Sequence, residues 1–380
     1  MTSAAGRQGA DVVESIELAI LSVPLARPIS DAKVLTGRQR PMAEISVLLA
    51  EVRTAHGLYG LGFSYSTRAG GPAQYAHAVE IAHEALGSDP SDIGRIGERL
   101  RWAGAAAGRA GIAMQAIAAI DIALFDVKAR RAGLPLAKLL GAHRDSVRVY
   151  NTSGGYLNAP LGEVLDNVDR SIDAGLGGIK IKVGQPDVRA DLDRVRAVHE
   201  RIAGRVPLMV DANQQWDRST ALKCGRLLEE FELAWIEEPI DAHDFLGLAD
   251  LAARLDTPIA SGEMLSSVAD VARLIQERGA DIVQADAPRL GGVSSYLRIA
   301  ELADHAHLDM APHFVMELHV HLAAAYARES WVEHFDWLTP LFDERFEIRD
   351  GRMLLPTGPG IGLTVSQAAR RWVTERVVVR

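Results

Sequence analysis

Residues 177–185 read GGIKIKVGQ, and this short stretch decides the fold. Two lysines, Lys180 and Lys182, alternate with branched apolar residues in a segment that otherwise has the composition of a buried strand. Successive side chains of a strand point to opposite faces, so both lysines must face the same way. A buried strand that directs two ammonium groups to one place indicates a functional cavity rather than ordinary packing.

Similar short apolar segments recur along the chain from about residue 147, and each is followed by a helical stretch. They read VRVYN, GIKIKV, PLMVDAN, LAWIEEP, TPIASGE, DIVQADA, LDMAPH and WVEHF. Eight strands at a spacing of roughly 20–30 residues are the pattern of a parallel (β/α) barrel. The sequence therefore predicts an α/β, TIM-like barrel over residues 141–345.

The residues on either side of the barrel have a different pattern. Residues 14–66 contain β-branched runs with a hairpin signal at AHGLYG, and residues 75–140 have a helical pattern. Residues 1–140 are therefore expected to form an α+β domain. Residues 346–380 contain no further βα unit, so we expect them to return to that domain and to end in a basic helix.

Polar residues fall at one place in each βα unit, at the end of the predicted strand. They are Lys180 and Lys182, Asp211 with Asn213, Glu237, Glu263, Asp286, His313 and Glu333. The steps from Lys182 onward are 29, 26, 26, 23, 27 and 20 residues, close to one unit each. One charged residue after a strand is usually a helix cap or a loop partner. A series on consecutive strands predicts a single site at the barrel mouth, where the carboxyl ends of the strands converge.

Three carboxylates on adjacent strands, Asp211, Glu237 and Glu263, form the candidate metal site. Converging carboxylates repel one another unless a cation lies among them. Oxygen ligands without Cys or His favour Mg²⁺ over Zn²⁺, and we expect one ion per site. Glu238 follows Glu237 directly and should point away. The alternative is that these carboxylates form salt bridges to surface lysines, which the regular spacing disfavours.

Candidate acid and base residues lie on the two sides of this metal site. A like charge and partial burial both lower the pKa of a lysine, so Lys180 could leave Lys182 neutral as a base. Lys180 would also meet the substrate carboxylate. Opposite, Asp286 can fix the tautomer of His313 and raise its basicity. This arrangement suits removal of a proton next to a carboxylate, through a metal-stabilised enediolate.

The motifs KIK, VDAN, WIEEP, SGE, D…GG and APH together resemble the enolase superfamily, mandelate racemase subgroup. The resemblance covers nearly the whole chain. It implies a (β/α)7β barrel with an α+β capping domain that the C-terminal segment completes. It also implies metal ligation by the three carboxylates, Lys182 as base and a His313–Asp286 dyad. Glu333 matches the position that hydrogen-bonds the enediolate oxygen.

Further segments, among them ISDAKVLTGRQ, FSYSTRAGG and WVEHFDWLTPLF, are similar to a narrower group, the L-talarate/galactarate dehydratases. That resemblance implies dehydration of a hexarate to a keto-deoxy-hexarate, with possible epimerisation, and loops of the capping domain that contact the substrate. The matching positions are Asp31, Ala32, Lys33, Thr67 and Arg68. Thr67 stands where the group often has a basic residue. Taken alone, Lys33 and Arg68 could be ordinary solvated charges.

The composition limits the remaining function classes. A formal net charge of −9 argues against nucleic acid as a partner. We also expect no membrane partner, since the longest apolar stretch is interrupted by polar residues. The single cysteine, Cys224, fits a reducing cytoplasm, and no targeting segment is visible. The family resemblance implies a homo-oligomer.

Two other functions remain open from the sequence. One is a racemase or dehydratase for another aldarate or aldonate. The other is a metal-binding homologue without catalysis, although intact Lys182, His313 and Asp286 favour an enzyme.

Overall fold

The structure, a computed structural model, describes residues 11–380. Its strands are β1 (Val13–Ile29), β2 (Met42–Thr54), β3 (Tyr59–Ser66), β4 (Ser146–Asn151), β5 (Ile179–Lys182), β6 (Leu208–Asp211), β7 (Ile236–Glu237), β8 (Ile259–Ser261), β9 (Ile282–Val283), β10 (Asp309–Met310), β11 (Trp331–His334), β12 (Ile348–Arg349), β13 (Arg352–Leu354) and β14 (Val373–Val379).

The helices of the first half are α1 (Ala32–Leu35), α2 (Gly71–Ile81), α3 (Ile93–Ala103), α4 (Ile112–Ala132), α5 (Leu136–Leu139), α6 (Leu161–Asp173) and α7 (Val188–Ile202). Those of the second half are α8 (Arg218–Leu228), α9 (Phe245–Arg254), α10 (Val268–Gln276), α11 (Ala287–Leu290), α12 (Val293–His305) and α13 (Met316–Ala325). Short 3-10 turns lie at Ala82–Ala85, Ala105–Ala107, Glu229–Phe231, Thr339–Leu341 and Ala369–Trp372. Within residues 11–380, no helix is both long and apolar enough to cross a membrane.

Four antiparallel strands form the N-terminal sheet, in the order β14-β1-β2-β3. The strand β14 pairs with β1, so the C-terminal end of the chain returns to this sheet. The prediction of a final basic helix is wrong, because only the 3-10 turn Ala369–Trp372 precedes this strand. A run of β-branched valines favours an extended conformation, and the edge of β1 supplies its hydrogen-bond partners.

The long helix α4 packs on β3 at very short range. Gly60 and Gly62 make this approach possible, since a Cβ atom would lie 2.2 Å from the Ala123 carbonyl oxygen at the first position and 2.1 Å from that of Ala119 at the second. At the end of α4, Asp126 accepts hydrogen bonds from the backbone N–H groups of Leu61 and Ile361. The buried carboxylate therefore joins β3, α4 and the C-terminal segment.

The second sheet contains the barrel. Its eight parallel strands run in the order β11-β4-β5-β6-β7-β8-β9-β10, as the sequence spacing predicts. The Ser330 hydroxyl donates to the Met310 carbonyl oxygen at 2.6 Å, which links the two ends of this series. The antiparallel pair β12–β13 extends β4 on its other side. These features give the (β/α)7β barrel with an α+β cap, whereas the domain limits at 140 and 345 stay a prediction.

Aromatic side chains fill the barrel interior below the strand ends. Tyr150, Trp235 and Trp331 make edge-to-face contacts with centroid distances of 5.1, 6.1 and 6.2 Å. Trp235 and Trp331 stand two residues before Glu237 and Glu333, on the same face of their strands. The aromatic layer therefore closes the barrel directly beneath a layer of carboxylates, so the site can be reached only from the carboxyl ends of the strands.

Candidate active site

The structure brings the predicted strand-end residues together at one mouth. The ladder pairs Lys182 with Asp211 and Asp211 with Glu237, so these side chains stand at equal height on neighbouring strands. The others follow the ends of β8, β9 and β10 by two or three residues, or lie within β11: Glu263, Asp286, His313 and Glu333. Their convergence follows from the parallel register of the barrel.

The three predicted metal ligands form one cluster. Asp211, Glu237 and Glu263 are buried, and each offers an oxygen atom within 4.8 Å of the others. Within residues 11–380, this is the one group of His, Cys, Asp or Glu side chains with such geometry. Three buried carboxylates at this separation repel one another, and hard oxygen donors without nitrogen or sulfur suit Mg²⁺. The donor set therefore fits a magnesium ion.

Glu237 is held by three protein donors. Its Oε1 contacts Lys180 Nζ at 2.6 Å, while its Oε2 accepts hydrogen bonds from Trp235 Nε1 at 3.1 Å and Gln284 Nε2 at 2.5 Å. Asp211 is similarly fixed, because Asn213 donates its backbone N–H and its side-chain amide to the two oxygens. The carboxylates are thus oriented before any cation binds.

Lys180 lies at the bottom of the site. Its Nζ is between Glu237 at 2.6 Å and Glu333 at 2.8 Å, and the residue is only 1% exposed. The Glu333 carboxylate also accepts hydrogen bonds from Thr152 Oγ1 at 2.6 Å and the Phe314 backbone N–H at 2.7 Å. Lys180 and Glu333 are therefore enclosed beneath the cavity and absent from its walls.

Lys182 lines the cavity and contacts Asp211. Burial disfavours its ammonium form, but the Asp211 carboxylate outweighs burial and raises the pKa of Lys182. For Lys180, burial is likewise outweighed by Glu237 and Glu333, and its pKa is raised. Lys180 lowers the pKa of Lys182, as predicted, but the Asp211 carboxylate outweighs this effect, so the predicted net lowering is not found in this arrangement. A cation bound by Asp211 would weaken the attraction on Lys182.

His313 and Asp286 form the predicted pair on the opposite side. His313 Nδ1 lies 2.9 Å from Asp286 Oδ2, and His313 Nε2 lies 3.4 Å from Glu263 Oε2. Burial disfavours the imidazolium, but Glu263 and Asp286 outweigh burial and raise the pKa of His313 to about 9. Asp286 also caps helix α11 by accepting the Arg289 backbone N–H at 3.2 Å. The helix cap after β9 thus orients the Asp286 carboxylate, and this carboxylate orients the His313 imidazole.

A cavity of about 310 Å³ opens above these groups. Lys182, Glu263 and His313 form part of its inner wall. Its outer wall includes two loop segments of the N-terminal part of the chain, which bring in Asp31, Lys33, Thr67 and Arg68. Ala32 begins helix α1, and its side chain lies outside the described part of the structure. The loop positions predicted from the family resemblance therefore face the strand-end residues across one space.

The two loop cations differ in their surroundings. Arg68 donates to Asp31 Oδ2 at 3.0 Å and to the Arg40 carbonyl oxygen at 3.2 Å. Lys33 is half-buried and makes no salt bridge with any residue in 11–380. Lys33 thus lines this end of the cavity without a salt bridge among residues 11–380, while Arg68 fastens the two loops to each other.

Sequence reasoning missed several side chains of the site. Arg289, Gln115 and Trp337 also line the cavity, and the Tyr65 hydroxyl reaches Asp286 from the N-terminal sheet. Arg289 follows Asp286 by three residues, so its position after a strand end was the available signal. For Tyr65 there was no local signal, because it is 221 residues away from its partner in the sequence.

Comparison with known proteins agrees with this arrangement. Residues 163–369 match the family described as enolase C-terminal domain-like, and residues 16–141 match the mandelate racemase/muconate lactonizing enzyme N-terminal domain. The chain belongs to the enolase superfamily, in its mandelate racemase subgroup.

Within that family, the chain is 58% identical to the L-talarate/galactarate dehydratase of Salmonella typhimurium, over 95% of this chain and 91% of the relative. The crystal structure of that dehydratase with Mg and L-lyxarohydroxamate superimposes with a TM-score of 0.97, at 55% identity, and covers 100% of this chain and 97% of its own. The L-talarate dehydratase of Polaromonas sp. JS666, complexed with Mg and L-glucarate, gives a TM-score of 0.95 at 60% identity, over 97% of this chain and 99% of its own.

Proposed function

We propose that this protein catalyses the Mg²⁺-dependent dehydration of a hexarate, galactarate or L-talarate or both, to a keto-deoxy-hexarate. One observation carries the proposal: three clustered carboxylates lie between Lys182 and the His313–Asp286 pair, at the bottom of a cavity whose wall includes Lys182, Glu263 and His313. The 58% identity to a dehydratase of these substrates, over most of both chains, supports the substrate class.

The metal belongs to the carboxylate cluster of Asp211, Glu237 and Glu263. When bound there, Mg²⁺ supplies positive charge to the substrate carboxylate and makes the neighbouring α-proton more acidic. The protein contributes the orientation of the ligands, through Lys180, Trp235 and Gln284 around Glu237. Close relatives have been crystallised with Mg, in agreement with this assignment.

Proton transfer falls to the two groups on either side of the cluster. In dehydration, one C–H bond next to the carboxylate and the C–O bond of the adjacent hydroxyl break, and water leaves. Lys182 accepts the α-proton of one epimer, and His313 donates a proton to the departing hydroxyl. For the opposite α-configuration, the two residues exchange roles. Because both faces carry a proton-transfer group, return of a proton to the opposite face gives epimerisation as a side reaction.

Recognition of a diacid requires positive charge at both ends of the cavity. The proximal carboxylate lies by the metal cluster, with Lys180 beneath it. The distal carboxylate would lie near the loop segments, where Lys33 and Arg68 line the wall. Asp31 and Thr67 offer hydrogen bonds to the intervening hydroxyl groups. Ala32 and Glu333 are the other positions that the family resemblance implies as substrate contacts, although Glu333 lies beneath the cavity wall, bound to Lys180.

A panel of diacid sugars and aldonates tests the proposal. The purified protein with Mg²⁺ should form a 2-keto product from galactarate or L-talarate, and Lys182→Ala should not. Product from an aldonate alone would favour a dehydratase for a monoacid. Interconversion of epimers without keto product would favour a racemase. Binding of Mg²⁺ with no turnover of any substrate would identify a homologue without catalysis.

We also infer, from the family resemblance, that the protein acts as a homo-oligomer in the cytoplasm. The buried, unpaired Cys224 is compatible with a reducing compartment. Light scattering coupled to size-exclusion chromatography measures the assembly directly, and a mass near 41 kDa would contradict it.

A further inference from the structure

Tyr65 brings the N-terminal sheet into contact with the acid/base pair. It lies in β3, is 1% exposed, and packs edge-on against Phe314 with ring centroids 4.8 Å apart. Its hydroxyl donates to Asp286 Oδ2 at 2.5 Å and lies 3.3 Å from His313 Nδ1. A buried tyrosine hydroxyl usually has one partner. Here the hydrogen-bond acceptor is the carboxylate that orients the histidine, and the Arg289 guanidinium also interacts with the hydroxyl.

The donors and acceptors of Tyr65, Asp286 and His313 permit one arrangement of protons among these three groups. The single hydroxyl proton of Tyr65 goes to Asp286 Oδ2, so it cannot also be donated to His313. Asp286 Oδ2 accepts a second hydrogen bond at 2.9 Å, for which His313 must carry its proton on Nδ1. When the ring is neutral, His313 Nε2 is then the unprotonated nitrogen. That atom is the one directed toward Glu263 and the cavity.

Other contacts from the N-terminal part fix the same segment. The Ser64 hydroxyl lies 3.1 Å from the Pro288 carbonyl oxygen. Asp121 of α4 accepts the Ser294 backbone N–H at 3.1 Å and the Ser294 hydroxyl at 2.5 Å. The residues that follow β9, from Asp286 to Ser294, are therefore held from outside the barrel. Tyr65 is the member of this set that reaches the reacting histidine through one intervening group.

We propose that Tyr65 is a positioning residue for the dehydration, which holds Asp286, and through it the tautomer and ring orientation of His313, in the arrangement that transfers protons at Nε2. The proposal rests on the proposed function for its kinetic consequence. Its structural consequence, one fixed tautomer of His313, does not depend on the identity of the substrate.

The matched pair of variants is Tyr65→Phe and Tyr296→Phe. Tyr296 is also fully buried, but its hydroxyl has no hydrogen-bond partner among the described residues. Each change removes one hydroxyl group and retains the ring. We expect kcat of Tyr65→Phe to fall roughly 10- to 100-fold, as for other residues that orient a reacting group, with KM close to the wild-type value. Tyr296→Phe should retain the wild-type kcat. Equal kcat in the two variants would overturn the proposal.

A double-mutant cycle separates positioning from a general loss of structure. If Tyr65 acts through Asp286, adding Tyr65→Phe to Asp286→Asn should cause no further loss of kcat. If instead the double variant shows the product of the two single losses in kcat, Tyr65 acts elsewhere, and the proposal is contradicted.

Nuclear magnetic resonance of ¹⁵N-histidine-labelled protein gives a result that does not need turnover. The signals of His313 are assigned as those that are missing from the spectrum of the His313→Asn variant. Recorded above the pKa of His313, where the ring is neutral, wild-type protein should show the Nδ1–H tautomer, and Tyr65→Phe should show a shift toward a mixture. An unchanged tautomer in Tyr65→Phe refutes the positioning role. If wild-type protein converts no hexarate, the proposed function fails, and this spectrum still decides the role of Tyr65.

Discussion

The bottom of the active site and its loop-built rim are constructed in opposite ways. At the bottom, Lys180, Glu237 and Glu333 are at most 1% exposed and interlocked by ionic contacts of 2.6 and 2.8 Å. At the rim, Lys33 has no salt bridge within residues 11–380, and Arg68 pairs with a single carboxylate. At the bottom, the ionic contacts fix one arrangement of the charged groups. At the rim, a residue can be substituted without disturbing such a network of ionic contacts.

This difference separates the chemistry from the choice of substrate. A buried network in which each group orients the next tolerates little change, since loss of one member leaves a buried charge unpaired. Under the proposed function, the rim residues meet only the end of the substrate that does not react. Substitutions at the bottom should therefore act on every substrate alike, and substitutions at the rim should act on particular substrates. The predictions below test that division.

The largest effect should come from the metal cluster. Removal of Mg²⁺ by EDTA should abolish turnover and added Mg²⁺ should restore it, because the ion held by the three carboxylates would supply the charge that makes the α-proton acidic. Glu263→Gln should weaken Mg²⁺ binding in calorimetry, since Glu263 is a cluster member that also lines the cavity. Glu232→Gln is the control, because Glu232 is exposed and lies outside the cluster. Full activity in thoroughly metal-stripped protein would refute the assignment.

The next effect concerns the two proton-transfer residues. Lys182→Ala and His313→Asn should each lower kcat by about 10²- to 10⁴-fold, the usual contribution of a general acid or base. The loss should be the same for every hexarate, and both variants should keep the wild-type fold and bind Mg²⁺. Turnover numbers and calorimetric titrations measure the two properties. Near-normal turnover in either variant would contradict the acid/base assignment.

The sequence predicted the bottom of the site better than the rim. Strand-end residues such as Asp211 and Glu263 recur with the length of one βα unit, so their convergence follows from the parallel barrel. The net direction of the Lys182 pKa shift was missed, because it depends on which carboxylate lies nearest in space, and here Asp211 outweighs the lowering by burial and by Lys180. Tyr65 was missed because the two sheets that meet at its hydroxyl are joined only by tertiary packing. The β14 strand was missed because its partner, β1, lies at the other end of the chain.

The rim should discriminate between diacids and monoacids. A hydrogen bond to a charged group contributes about 1.5–3 kcal/mol, so Lys33→Ala should lower kcat/KM for galactarate roughly 10- to 100-fold and leave an aldonate little changed. Arg68→Ala should also lower kcat/KM for six-carbon diacids more than for monoacids. Its loss should be the smaller one, because Arg68 is already paired with Asp31.

The control for these two variants is Arg38→Ala, which removes an exposed cation of the same loop that does not line the cavity. It should leave both substrates unaffected. Equal losses on the diacid and the monoacid in Lys33→Ala and Arg68→Ala would show that neither residue binds the distal carboxylate.

The smallest effect, and the sharpest test of the rim, is expected at Thr67. This residue lines the cavity beside Arg68, at a position where the family resemblance leads us to expect a basic residue. Thr67→Lys adds a partly exposed cation near the distal carboxylate, and such pairs contribute about 0.2–1 kcal/mol, or up to about fivefold in kcat/KM. Thr67→Met adds similar bulk without charge and should give no gain. Because solvent-exposed charges are screened by salt, the gain of Thr67→Lys should shrink as ionic strength rises. A gain shared by both variants, or one independent of salt, would mean that side-chain size rather than charge at the rim selects the substrate.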